Sequence, residues 1–187
     1  MNIPLRQLTG VSIIPKIDDT YFFVTEKRNE KISRRQIGSD EEVNKELFSH
    51  LFGGKIKDGE NYKSCGIREF IEEFFGISVN NVKVRRFVRQ IEEQLFNVNM
   101  DEYQLVSSNG KYHIFLTFDV NNINNQSVKE FFTNLDVPLQ EARPSVESVF
   151  KWTFGQEIEN PSSLLIQYLE YLKSKSYIDQ GGELSDF

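Results

Sequence analysis

The stretch from Phe52 to Ile77 constrains this chain more than any other. It reads FGGKIKDGE, then NYKSCGI, then REFIEEFFGI: two adjacent glycines, a turn holding the lone Glu60, and a segment with helical spacing. At about 100° per residue, Ile67, Phe70, Ile71 and Phe74 fall on one stripe, while Glu69, Glu72 and Glu73 fall on the opposite one. A helix of this kind must bury one face against a partner layer and carry three carboxylates on the other.

Glutamates at i, i+3 and i+4 repel one another, and each such pair destabilises a helix by a few tenths of a kcal/mol. A bound divalent cation is the natural compensation. Carboxylate oxygens suit Mg²⁺ or Mn²⁺, and Mg²⁺ in particular is shared between a few carboxylates, waters and substrate phosphate oxygens. The Gly53-Gly54 pair lets the backbone approach a ligand closely, so that a carbonyl there could join the coordination shell. The ordinary alternative is an acidic helix face that simply meets solvent.

Gly54, five residues, Glu60, seven residues and then Arg68-Glu69-Phe70-Ile71-Glu72-Glu73 resembles the Nudix box of the Nudix hydrolases. Three departures accompany the match. Phe74 and Phe75 both precede Gly76 where the family usually has one residue, Phe52 stands where many members have proline, and Gly66 lies inside the presumed helix. That glycine costs about 1 kcal/mol relative to alanine. The extra residue follows the last carboxylate and is expected to alter the helix exit rather than the ligands.

The resemblance implies an α/β fold, the Nudix-type α/β/α sandwich with a mixed β-sheet between helices. It also implies a metal-dependent pyrophosphohydrolase that cleaves a nucleoside diphosphate linked to another moiety by water attack on phosphorus. Carried over residue by residue, Glu69, Glu72 and Glu73 are the ligands for Mg²⁺ or Mn²⁺, with a carbonyl of Gly53 or Gly54 completing the shell. Arg68 orients Glu69, and Glu60 pairs with Arg68. The general base is either Glu69 or a downstream carboxylate among Glu92, Glu93, Asp101 and Glu102, with Glu93 placed first. Arg28, Arg35, Lys55 and Arg86 are candidate cations for the substrate phosphates. The Cys65-Gly-Ile-Arg68-Glu69 run is also similar to that of mRNA-decapping Nudix proteins, which keeps an RNA 5′ end as an alternative substrate. A non-catalytic nucleotide sensor or protein-binding module is a third reading, against which stand the retained, mutually repelling glutamates.

At 187 residues and 21.9 kDa the chain is expected to form a single domain, 1–187, with an insertion around 27–51 and a loose tail from about 178. A net charge of −6 gives no global footprint for nucleic acid, so RNA is not the favoured partner and any path for it must be local. The lone Cys65 excludes an internal disulfide, and no stretch approaches the ~20 apolar residues of a membrane span. Both suit a soluble, cytoplasmic protein without a membrane partner. His50 and His113 stand without a serine or cysteine constellation and read as structural.

Along the chain, Leu8 and Val11 to Ile14 read as a strand ending at Pro15, and Thr20 to Thr25 as its partner. Lys27, Arg28, Lys31, Arg34 and Arg35 form a basic loop. Ser39 and Glu42 match a capping box, with Val43, Leu47, Phe48 and Leu51 continuing a helical spacing. Val82 to Arg89 reads as a strand with a bulge at Arg85-Arg86, and Tyr112 to Val120 alternates as a strand. Ser127 with Glu130 caps a short helix, and Glu147 to Phe154 is a last strand bearing Trp152. Asn160-Pro161 caps a final helix with Leu164, Leu165, Tyr168, Leu169 and Leu172 on one face.

Overall fold

The centre of the molecule is a parallel pair, β1 (Leu8–Ile17) beside β6 (Tyr112–Asp119), in register from Gly10↔His113 to Lys16↔Asp119. Strands covered on both faces read as continuous apolar runs rather than strict alternation. Accordingly Ile13 and Ile14, and likewise Ile114, Phe115 and Leu116, are buried although neighbours point to opposite sides. In the computed structural model, which describes residues 8–27, 47–137 and 147–179, the sheet has the order β3-β2-β1-β6-β5. Here β2 is Thr20–Lys27, β3 Leu47–His50 and β5 Asp101–Val106. Two further strands, β4 (Phe52–Gly54) and β7 (Ser148–Trp152), pair with β1 and β2 respectively.

Helices lie on both faces of this mixed sheet, an α/β/α sandwich. One face packs α1 (Tyr62–Phe75), α2 (Val82–Asn97) and α3 (Gln126–Thr133) through Val11, Ile13, Phe22, Phe70, Leu95 and Phe132. The other packs α4 (Ser163–Asp179) through Ile14, Phe23, Phe115, Leu165 and Tyr168. Lys63 in the first turn of α1 donates to the carbonyls of Phe96 and Val98 at the far end of α2, both at 2.9 Å. At the opposite end Phe87 of α2 packs on Phe131, which in turn packs on Phe74 and Phe75. The two helices therefore run antiparallel.

Several expectations need correction. Val82 to Arg89 is not a strand but the first half of α2, which Asn81 caps by accepting from the Lys83 and Val84 amides. Its buried residues Val88, Ile91 and Leu95 follow the helical period, and the alternating valines at its start only imitate a strand. Leu47 and Phe48 do not continue a helix; they pair with Lys27 and Glu26 as β3. The preceding Ser39 to Val43 lies outside the described residues. Strand β1 runs through Pro15 to Ile17, and the turn is confined to Asp18-Asp19, with Asp18 at φ 52. The caps of the later helices are Asn125, bonded to the Val128 amide, and Ser162, bonded to the Leu165 amide, rather than Ser127 and Asn160. The final helix extends to Asp179, past the expected start of the tail; residues from 180 on lie outside the described set.

Candidate active site

Helix α1 begins at Asn61, whose side chain accepts from the Ser64 amide, and ends at Gly76 with φ 87, a conformation that favours glycine. The additional residue, Phe75, is buried against Phe131, and the Gly76 amide donates to the Glu72 carbonyl. The helix thus exits later without disturbing the turns that carry the carboxylates. Gly66 has a packing reason: a Cβ there would come within 3.3 Å of Val11 and 3.4 Å of Leu116. The glycine lets α1 settle close onto the two central strands.

Arg68 is the hub of the polar face. Its Nε and Nη2 donate to Glu60 Oε2 and Oε1 at 2.7 and 3.0 Å, a two-pronged pair. Its Nη1 donates to Glu69 at 2.9 Å and Glu72 at 3.1 Å, and Nη2 also reaches the Lys55 carbonyl at 3.2 Å. The Arg68 hydrogen bond holds Glu60 below the usual carboxylate range. Gly54 lies against the end of Glu69, where a Cβ would stand 2.5 Å from both carboxylate oxygens.

Glu73 departs from the helical-wheel expectation. It is not on the solvent face but 9% exposed, at the flank of α1 that β4 covers, where the Gly53 amide approaches both its oxygens at 3.4 Å. Burial, followed by the charge of Glu26, pushes its pKa up to about 9. Glu26, on β2, is a residue that sequence reasoning missed. Burial pushes it up to about 7, and its charge acts on Glu73. Its one sequence signal was an acid at the end of a buried strand.

Arg68, Glu60, Glu69, Glu72, Glu73, Gly53 and Gly54 are thus gathered where the polar face of α1 meets β4. Lys55 joins them only through its carbonyl, and the remaining candidates are not gathered there. Glu92 and Glu93 are on α2 rather than a loop, with Glu93 exposed; Asp101 and Glu102 are on β5, where Glu102 accepts from the Tyr62 hydroxyl at 2.8 Å. Lys55 and Arg86 are exposed, and Arg86 makes no contact with the carboxylates. Arg28 and Arg35 lie outside the described residues. Cys65 is buried and its thiol is pushed up to about 12, mainly by burial, which is the opposite of an activated nucleophile. His113 bonds Ser12 at 2.8 Å and His50 bonds Ser162 at 2.7 Å, and burial lowers both.

Among the described residues, no three His, Cys, Asp or Glu side chains stand ready-made around a common cation position. The donor set nevertheless suits a hard divalent ion. Arg68 engages one oxygen each of Glu69 and Glu72, and Glu73 has only two long amide contacts. The missing Cβ at Gly54 is what makes room for the Glu69 carboxylate.

No family model and no curated protein matches the chain. It is similar to several solved structures. One is a NUDIX hydrolase from Nitrosomonas europaea, 15% identical with a TM-score of 0.42, covering 90% of this chain and 89% of that one. A second is a bifunctional NMN adenylyltransferase/ADP ribose pyrophosphatase from Francisella tularensis, complexed with AMP and Mn ion, 15% identical with a TM-score of 0.47; 90% of this chain matches 41% of that one. A third is an ADP compounds hydrolase, 14% identical with a TM-score of 0.43, covering 92% of this chain and 74% of that chain. Among the described residues no helix is long and apolar enough to cross a membrane.

Proposed function

We propose that this chain is a Nudix-type pyrophosphohydrolase, dependent on Mg²⁺ or Mn²⁺, that cleaves a nucleoside diphosphate linked to another moiety. The observation that carries the reading is the Arg68 hub, one guanidinium tying Glu60, Glu69 and Glu72 together beside the buried Glu73. The reading rests on that site and not on the loosely matching neighbours. Glu69, Glu72 and Glu73, with a Gly53 or Gly54 carbonyl, would hold the cation. When bound it lowers the pKa of the attacking water and draws charge from the phosphoryl oxygens. The chain's own contribution is orientation: Glu60 fixes Arg68, and Arg68 fixes the carboxylates of Glu69 and Glu72. Glu69 is the base candidate within the site, whereas Glu93 would need to reach it from an exposed position on α2.

Purified protein should release phosphate or mononucleotide from a panel of nucleotides in Mg²⁺ or Mn²⁺, and E72Q and E73Q should lose turnover while melting normally. A folded protein inactive on the whole panel, or one whose activity survives both substitutions, would sink the assignment.

One observation favours a second reading, an RNA 5′ end as substrate. Lys83, Arg85, Arg86 and Arg89 are exposed on the first half of α2 and make no ion pair among the described residues. Lys83 and Arg85 in the first turn meet the positive end of the helix dipole, so they in particular gain from an anionic partner. A steep fall in substrate affinity with added salt, lost on replacing two of the four, would favour RNA over a small nucleotide.

A further inference from the structure

A cleft with a cavity volume of about 360 Å³ lies on the α4 face of the sheet, across from the carboxylate helix. That volume suits a small molecule. Trp152 and Phe154 line it from the end of β7, and Ile166 and Leu169 line it from α4. The aromatic wall is firmly backed: Trp152 packs on Tyr21 and Phe23 at ring-centroid distances of 6.0 and 5.7 Å, and Phe154 stands edge-on to Tyr21 at 6.3 Å. The turn after β7 is braced by its own bonds, since the Gln156 carbonyl accepts from the Trp152 indole at 3.0 Å and the Gln156 side-chain oxygen accepts from the Thr153 amide at 3.0 Å. The one donor of the indole is thereby occupied, and Trp152 offers the cleft only apolar ring. Phe154 and Ile166 remain 45% and 41% exposed, apolar surface that a ligand would take out of water.

The same cleft carries both signs of charge. Glu170 and Lys173 line it three residues apart on α4, a spacing that makes side chains neighbours on a helix surface. Yet these two form no ion pair with one another or with any other described residue. Lys175, one half-turn on, does pair, with Asp101 at 3.6 Å. The side-chain nitrogen of Gln156 is also without a partner among the described residues. A simple anion in the cleft would meet Lys173 and Gln156 but also Glu170, and a simple cation would meet Glu170 but also Lys173. A ligand with both charges close together complements all three.

We infer that this cleft binds a free amino acid with an aromatic side chain. Its ring packs against Trp152 and Phe154, its α-carboxylate meets Lys173 and the Gln156 amide, and its α-ammonium meets Glu170. The walls choose the ring, because offset and edge-on contacts between aromatic rings add to the burial of apolar area. The charge pair chooses the zwitterion: inside a peptide, at least one of the two charges is lost to an amide. The site is separate from the hydrolytic one proposed above, and its occupation needs neither metal nor nucleotide.

Trp152 is the only tryptophan in the chain, so its fluorescence reports on this cleft directly. The test is titration of the full chain with L-phenylalanine, L-serine, phenylpropionate, which lacks the ammonium, and phenethylamine, which lacks the carboxylate. L-Phenylalanine should give a saturable change at millimolar concentration and L-serine none. Each singly charged analogue should bind about tenfold more weakly, as loss of one charge-assisted contact implies. K173M should weaken L-phenylalanine about tenfold and leave phenethylamine no weaker, and E170Q should weaken L-phenylalanine about tenfold and leave phenylpropionate no weaker. Should either variant melt early, the ranking of the four ligands on the wild-type chain decides alone. No saturable response to L-phenylalanine overturns the inference, as does an equal response to the singly charged analogues or an affinity unchanged in both variants. A Trp152 signal that shifts with protein concentration alone would instead put a second copy of the chain in the cleft, and would also overturn it. Nucleotide hydrolysis bears on neither outcome, so this inference and the hydrolytic reading stand or fall separately.

Discussion

Gly54→Ala probes the site with a single methyl group. The added Cβ would stand 2.5 Å from both oxygens of Glu69, where ordinary contact begins near 3.4 Å, so the carboxylate must retreat by roughly 1 Å. What retreats is the end of a flexible side chain, and the stability change should stay within about 1 kcal/mol, the more so because alanine also restricts the unfolded chain. The chemistry is less tolerant. Moving Glu69 strains its 2.9 Å bond from Arg68, and a misplacement of about 1 Å at a reacting centre costs on the order of 10²-fold in rate. Thermal melting and kcat/KM in Mn²⁺ should therefore separate, with Tm nearly unchanged and kcat/KM down about a hundredfold. A G54A variant that folds normally and keeps kcat/KM within about threefold of the parent would refute the argument that Glu69 acts from this position.

Three further outcomes test the surrounding framework. Burial lowers the His113 pKa from 6.5 to about 4, so the unfolded chain takes up a proton first; stability is fully present above pH 6.5 and is lost as pH falls toward 4, by up to about 3 kcal/mol. Urea titrations at several pH values should show this acid loss diminished in His113→Asn, and parallel pH curves for the two proteins would contradict it. Lys63→Met removes two charge-assisted bonds that close the C-terminal end of α2 and should cost about 1–2 kcal/mol, read as a shift in the urea midpoint. Tyr168→Phe strips the buried Thr117 hydroxyl of its 2.7 Å partner and should cost about 1–3 kcal/mol, a loss that Thr117→Val in the same chain should reduce.

The carboxylate helix was legible because its information is local: the glycine pair, the apolar spacing and the acids all lie within one short segment. The α2 helix was misread because Val82, Val84 and Phe87 with the basic residues between them mimic a period of two, and of the buried residues that reveal the helical period only Val88 lies within Val82 to Arg89, while Ile91 and Leu95 lie beyond it. Asn81, the cap, was the available signal. For Leu47 and Phe48, pairing with β2 overrode an apolar spacing equally compatible with a helix. The burial of Glu73 depends on β4 lying over one flank of the helix, and a helical wheel carries no knowledge of a strand. Glu26 was unreadable for a related reason: it joins the site only through sheet register and its approach to Glu73 across the sheet–helix boundary.

The pairing of Lys27 with Leu47 fixes more than an edge of the sheet. The chain leaves β2 at one residue and enters β3 at that residue's direct partner, so the two ends of the intervening sequence are held side by side. Closure between two fixed ends depends only weakly on length, so doubling the number of residues between Lys27 and Leu47 should shift the cost of closing the β2–β3 pair by only about 0.6 kcal/mol. The ladder from Val24↔His50 to Lys27↔Leu47 thus acts as a clasp whose closure is largely independent of what is strung between its ends.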